Sequence, residues 1–172
     1  IVHHDLGGFD GALFAAASWA ELTVAFSTLD EETGCCRGLF GTTNGGSVRV
    51  FSSILLAVEA ASGQGRIFDE PAGAAETRVV DCVLYQETTS TLPPPADPGS
   101  HQVLASPATT FLDRAAGRYR LRSGSPAIDF CDGSNYFPQT TDIDREARGF
   151  DVPADPNLPF GPFDLGADEW RS

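Results

Sequence analysis

Two short apolar patterns recur in phase along the first half of the chain. Ala12-Leu13-Phe14, Gly38-Leu39-Phe40 and Arg66-Ile67-Phe68 align at intervals of 26 and 28 residues. A second run follows each of them: LTVAFSTL from Leu22, VRVFSSIL from Val48 and TRVVDCVL from Thr77, at intervals of 26 and 29. In this alignment Val24, Val50 and Val79 share one slot, and Leu29, Leu55 and Leu84 share another. The runs are β-branched and alternate apolar with polar positions, which predicts strands with one buried face. A period of this length holds two or three short strands and their turns. One such coil cannot bury its own inward side chains, so the core must come from stacking. Helical stripes and the leucine-rich pattern are both absent. The expected fold is therefore all-β, a parallel β-helix (solenoid) of a few rungs over residues 1–121. Leu13, Leu39 and Ile67 are expected to form one inward stack, and Val24, Val50 and Val79 another.

Between the strands, Thr42-Thr43-Asn44-Gly45-Gly46 supplies residues tolerant of positive φ. AASGQG from Ala60 and PAGAAE from Pro71 read as longer loops, and Ala15 to Ala20 as a short helical turn or a turn into a strand. The repeats fade after Tyr85. ETTSTLPPPADPG, residues 87–99, has no hydrophobic period and reads as a proline-rich surface loop. Phe111 to Leu121 resumes a last coil, in which Tyr119 and Leu121 alternate with Arg118, Arg120 and Arg122. Ser123-Gly124-Ser125-Pro126 ends that strand, because proline offers no N–H to a ladder. Ala127-Ile128 returns to the core, and Asp129 is placed to accept bonds from nearby amides. Residues 122–172 carry Phe130, Phe137, Phe150, Phe160, Phe163 and Trp170, and are expected to cap the open end of the stack.

Three motifs in this tail go together: YRLRSGSPAID ending at Asp129, TDID with REARG over residues 141–149, and FDLGADE over residues 163–169. The set resembles the closing segment of bacterial secreted and surface right-handed parallel β-helix proteins, including choice-of-anchor Q domain proteins. That resemblance implies an irregular C-terminal cap in which Arg145 or Arg148 pairs with Asp142, Asp144 or Asp164. Asp144-Arg145 stands where Asp-Gly is commoner, which leaves the turn type open. The fold carries lyases, hydrolases, adhesins and inert stalks alike, so the resemblance speaks to architecture more than to activity.

Charge narrows the partners. The net charge of −13 and pI near 4.4 argue against nucleic acid, which a basic stripe would serve. No apolar run is long enough to span a membrane. Every basic residue except histidine is arginine. Ile1 cannot be a translation start, so a processed chain, an excised domain or an incomplete sequence is expected. Cys35, Cys36, Cys82 and Cys131 suit an oxidising compartment and at least one long-range disulfide, of connectivity left open.

Candidate chemistry is sparse. His3-His4-Asp5 offers adjacent imidazoles, but neighbours on a strand face opposite ways and do not converge on one ion. His101 has no nucleophile motif near it. A glycosidase or lyase would need paired carboxylates; Asp30, Glu31, Glu32, Asp69, Glu70 and Asp81 are the candidates. Asp142, Asp144 and Asp151 fail the EF-hand pattern because Arg145 replaces its glycine, leaving calcium in another geometry as the one cofactor alternative.

The expected role is that of a bacterial secreted or cell-surface β-helix segment, structural or binding, within a larger assembly or processed precursor. Nothing before Gly11 looks long enough to cover the first rung, so another chain or an upstream part of the same precursor is the expected partner. The alternatives are the C-terminal half of a polysaccharide lyase or glycoside hydrolase, and an adhesin or carbohydrate-binding module. No catalytic residue can be named from the sequence, and the chain leans away from being an enzyme.

Overall fold

The computed structural model describes residues 2–4, 12–31, 38–57, 65–69, 76–87, 91–94, 100–104, 106–131, 141–148, 161, 163–168 and 170. Its strands are β1 (Val2–His4), β2 (Ala12–Ala17), β3 (Glu21–Ala25), β4 (Thr28–Glu31), β5 (Gly38–Thr43), β6 (Ser47–Ala57), β7 (Thr77–Glu87), β8 (His101–Val103), β9 (Phe111–Asp113) and β10 (Arg118–Leu121). The fold is all-β with parallel sheets. One sheet runs β1-β4-β6-β7-β8, with β3 also paired to β6; a second joins β2 to β5, and β9 and β10 form an antiparallel pair.

The in-phase patterns become in-register ladders. Phe14 pairs with Phe40, and Phe40 bridges to Phe68. Their rings stack with centroids 6.2 and 5.6 Å apart. Leu39 and Ile67, one residue before, are fully buried, and Leu13 packs half-buried on the same core. Leu22 pairs with Val48, Val24 with Val50 and Leu29 with Leu55, at the expected 26-residue offset.

The third repeat departs by one residue. Val50 pairs with Val80, not Val79, and Ile54 with Leu84. Because side chains alternate along a strand, that single step exchanges the faces. Val80 is buried, whereas Val79 is half-buried beside exposed Arg49. Two consecutive valines hid the choice, since either one fills the slot. Arg78 consequently takes the place opposite Val48. Its side chain is only 6% exposed. The guanidinium lies 4.5 Å from the Phe68 ring centroid, donates to Thr42 Oγ1 at 2.8 and 3.1 Å, and faces Glu76 at 3.8 Å. A cation–π contact plus hydrogen bonds is what allows a charge at an inward slot.

Each repeat bends at one point. Phe26, Ser52 and Cys82, equivalent in register, have φ of 46°, 44° and 58°. Ser27 and Ser53 follow the first two and donate to the carbonyls of Ala25 and Phe51 at 2.8 and 2.6 Å. The turn between β2 and β3 places Ser18 and Trp19 at φ 54° and 67°, and Asn44 and Gly45 repeat it at 51° and 80°. Two successive left-handed residues closed by an N–H to carbonyl bond (Ala20 to Ala17, Gly46 to Thr43, both 3.0 Å) suit Asn-Gly. The Trp19 ring would lie 2.9 Å from a Cβ on Gly45, so only glycine fits beneath it. Thr42 to Gly46 thus forms the turn its composition predicts, and Ala15 to Ala20 is strand and turn, with no helical turn.

Two cores flank the larger sheet. Leu29, Leu55, Ala57 and Val83 join Phe40, Phe68, Val48, Val50 and Val80 in one. The alternate residues Ile54, Leu56, Cys82 and Leu84 belong to the other, with Phe111, Tyr119, Leu121, Ala127, Phe130 and Leu165. The continuous apolar run Ile54-Leu55-Leu56-Ala57 is therefore the mark of a strand covered on both faces.

This corrects the expected placement of the tail. Its described residues lie along the flank of the sheet, over all the early repeats, and not over an open end alone. Gly166 N–H bonds Ser52 O at 2.9 Å, and Phe163 packs on Phe26 with ring centroids 6.3 Å apart. The guanidinium of Arg148 sits 4.5 Å from the same Phe26 ring. The physical cause is the apolar outward face of β6 and β7, which needs cover.

Two further expectations change. β1 pairs in parallel with β4, Val2 beside Leu29, so a strand before Gly11 does cover part of the first repeat. Within the proline-rich excursion, Thr91 Oγ1 accepts from the backbone of Ile67 and Phe68 at 3.1 and 2.9 Å, and Leu92 packs on the core. Residues 91–94 are edge cover, not a free loop. A polar cap on unpaired strand amides carries no hydrophobic period, which is why composition alone misreads it.

Cys82 and Cys131 form a disulfide with Cα atoms 6.0 Å apart, closing a separation of 49 residues. It ties the bend of β7 to the tail. Cys35 and Cys36 lie outside the described residues. The Cys82→Ser, Cys131→Ser double variant is expected to lose about 4 kcal/mol, the chain-entropy value for a loop of this length. Urea midpoints with and without the pair check it.

Candidate functional site

Of the candidate groups, hairpin β9–β10 meets Asp30 and Asp144. Ser106 caps the short helix α1 (Pro107–Thr110), its Oγ accepting from Ala108 N–H at 3.2 Å. β9 follows at once, then a 3-10 turn ended by Gly117 at φ 69°. That turn positions Arg114 over β4. Asp30 there is wholly buried and receives Arg114 Nε and Nη2, each at 2.6 Å, and the Tyr119 hydroxyl at 2.7 Å. A two-pronged guanidinium–carboxylate pair with a third donor satisfies the buried charge. It also closes Asp30 to any substrate. Nothing in the sequence linked residues 84 and 89 positions apart.

Of the carboxylates named for glycoside chemistry, Asp30 and Asp81 do not form a pair. Asp30 on β4 and Asp81 on β7 are two strands apart in the sheet, with β6 between them. That alone is roughly 10 Å of stacking. They also sit at different register positions, on opposite sides of the bend. Asp69 follows Phe68 beside the other sheet, and Glu31 is buried at the end of β4. Asp5, Glu32, Glu70 and Asp151 lie outside the described residues. His3 and His4 are consecutive on β1.

His101 lies on β8. Its Nε2 is 2.9 Å from the Val80 carbonyl, and its ring meets Tyr85 edge-on at 6.5 Å. A carbonyl only accepts, so Nε2 carries the proton. Burial holds its pKa below the usual histidine value, while the Val80 bond and Asp81 pull the other way.

The motif residues of the tail meet one another. Asp164 Oδ1 accepts from Asp129 N–H at 2.7 Å and Oδ2 from Trp170 N–H at 2.5 Å. Asp168 Oδ2 accepts from Leu121 N–H at 2.8 Å. Asp142 Oδ1 gathers the amides of Asp144 and Glu146 at 2.9 and 2.8 Å, folding the TDIDRE turn. Arg145 adopts φ 67° in that turn, the conformation glycine takes most readily. The ion pair to Asp144 comes from Arg120 at 2.8 Å, and Arg148 donates to the Gly166 carbonyl at 3.0 Å. Burial raises the Asp164 pKa to about 7 despite its two amide bonds, with Asp129 and Asp168 adding to the rise. Burial raises Asp168 as well, helped by Asp142 and Asp144. Among the described residues, no group of three or more His, Cys, Asp or Glu side chains is disposed to hold a metal ion.

A groove of about 470 Å³ opens on the outer face of the hairpin, lined by Leu112, Gly117, Arg118, Tyr119, Arg120, Ile143 and Asp144. Leu112 and Ile143 are 58% and 47% exposed. Among the described residues no helix is long and apolar enough to cross a membrane. No known family model matches the chain, and no curated protein or solved structure matches it.

Proposed function

We propose that the chain is a segment of a right-handed parallel β-helix, of the bacterial secreted or surface kind its tail motifs resemble, with a structural and binding role in a larger assembly. The observation that carries this is the outer edge of the first repeat. β2 and β3, six and five residues long, each pair on one side only among the described residues, β2 with β5 and β3 with β6, and no described strand pairs with their other side. An open parallel edge of that length is a template for further strands. β1 on β4 begins that next layer. The partner is another chain or an upstream part of the same polypeptide, continuing the same ladders. The Cys82–Cys131 disulfide supports an oxidising, extracellular setting. An enzymatic role gains no support from Asp30, which is ion-paired to Arg114, or from Asp81, two strands away.

Size-exclusion chromatography with light scattering tests the open edge. The 18.2 kDa chain is expected to elute as a multiple of its mass, or in complex with a partner. A monomer that stays soluble at high concentration would overturn the proposal.

A further inference from the structure

The outward face of β10 carries Arg118 and Arg120, and Arg122 follows its end, all exposed, on a chain of net charge −13. Their pairing is uneven. Arg122 Nη1 donates to the Ala108 carbonyl at 2.6 Å, and Arg120 meets Asp144 in a pair whose side chains are 62% and 35% exposed. Such a surface pair contributes little and exchanges readily for another carboxylate. Arg118 makes no ion pair among the described residues. Arg118 and Arg120 lie in the same groove, about 7 Å apart along the strand by the two-residue repeat. Leu112 and Ile143, two of the most exposed large apolar side chains, also line that groove. The turn of residues 141–148 holds Ile143 there, through its N–H to Ala167 O at 2.9 Å. The groove thus offers cationic and aliphatic contacts side by side, on a rigid hairpin anchored through Arg114 and Tyr119 to β4.

We infer that this groove docks an acidic polypeptide segment of a partner protein, one that alternates carboxylate and apolar side chains. Guanidinium groups bind carboxylates with two parallel bonds, which selects Asp and Glu over neutral groups. Aliphatic Leu112 and Ile143 suit apolar side chains. Among the described residues, the only aromatic side chain lining the groove is Tyr119, which is buried with its hydroxyl committed to Asp30 and so offers no stacking surface to a sugar ring.

Fluorescence anisotropy with a labelled decapeptide of alternating Asp and Leu tests this on the full chain. Binding is expected to weaken at least tenfold when the probe is changed to alternating Asn and Leu, and to weaken as salt rises. Arg118→Glu should lower affinity at least fivefold, and Leu112→Ser should lower it too, both without moving the melting temperature by more than a degree. Equal binding of the Asp and Asn probes would overturn the inference, as would unchanged affinity in Arg118→Glu. An oligogalacturonate that binds at this groove where the Asp-Leu peptide does not would overturn it in favour of a carbohydrate ligand.

Discussion

Val50→Asp is expected to unfold the domain. Val50 is fully buried, with Val24 on one side and Val80 on the other in consecutive parallel strands. A carboxylate there would sit between two ladders with apolar neighbours above and below. Its desolvation would exceed any local compensation, and the lost packing adds to it. The combined cost is roughly 5 kcal/mol or more, comparable with the whole stability of a domain this size. The nearest inward cation, Arg78, is already committed to Thr42 and Phe68. Far-UV and near-UV circular dichroism should show loss of the cooperative melt. A variant melting within a degree of the parent would remove Val50 from the core stack.

The domain is expected to be more stable at pH 5 than at pH 8. The Asp164 carboxyl has a pKa raised by burial from 3.8 to about 7. Its proton is held more tightly in the folded chain than in the unfolded one. The contribution is therefore complete below the unfolded pKa and is lost as pH rises through about 7. By the free-energy value of a pKa unit the whole effect is on the order of 4 kcal/mol, of which roughly 2–3 kcal/mol falls between pH 5 and pH 8. Asp168, also raised, acts in the same direction. His101, whose pKa is lowered, acts in the opposite one, losing stability as pH falls. Asp164→Asn separates them. It leaves one acceptor where Asp129 and Trp170 N–H groups both need one, so it costs stability at every pH. The slope between pH 5 and pH 8 should nevertheless flatten. Denaturant midpoints across that range give the slope, and a parent domain more stable at pH 8 would contradict the assignment.

Much of the strand pairing was legible in the chain. The offset linking Leu22, Val24 and Leu29 to Val48, Val50 and Leu55 reads directly from apolar phase, because β6 repeats β3 and β4 side chain for side chain. The next register was not legible. Val79 and Val80 satisfy the same apolar pattern, and only the burial of Arg78 distinguishes them. Burial of a charged residue depends on Thr42, Glu76 and Phe68, which local patterning does not see. The tail motifs marked residues that meet, but not where they lie. The Asp164 and Asp168 carboxylates accept from the backbone amides of Asp129 and Leu121, as short polar caps do. Their docking on the flank of β6 was foreshadowed only by the unbroken run Ile54 to Ala57. The Asp30–Arg114–Tyr119 cluster had no sequence signal, since its members come from segments that the fold alone brings together.

Parallel denaturation of Val79→Asp and Val80→Asp tests the stacked register most directly. Val80 faces the core above Val50, and Val79 faces outward beside Arg49, whose side chain is 47% exposed. Val80→Asp is expected to abolish cooperative unfolding. Val79→Asp, at a half-buried position beside Arg49, should keep the cooperative melt and cost about 1 kcal/mol, the typical loss for a single substitution. A folded Val80→Asp beside an unfolded Val79→Asp would contradict this register and restore the offset one residue shorter.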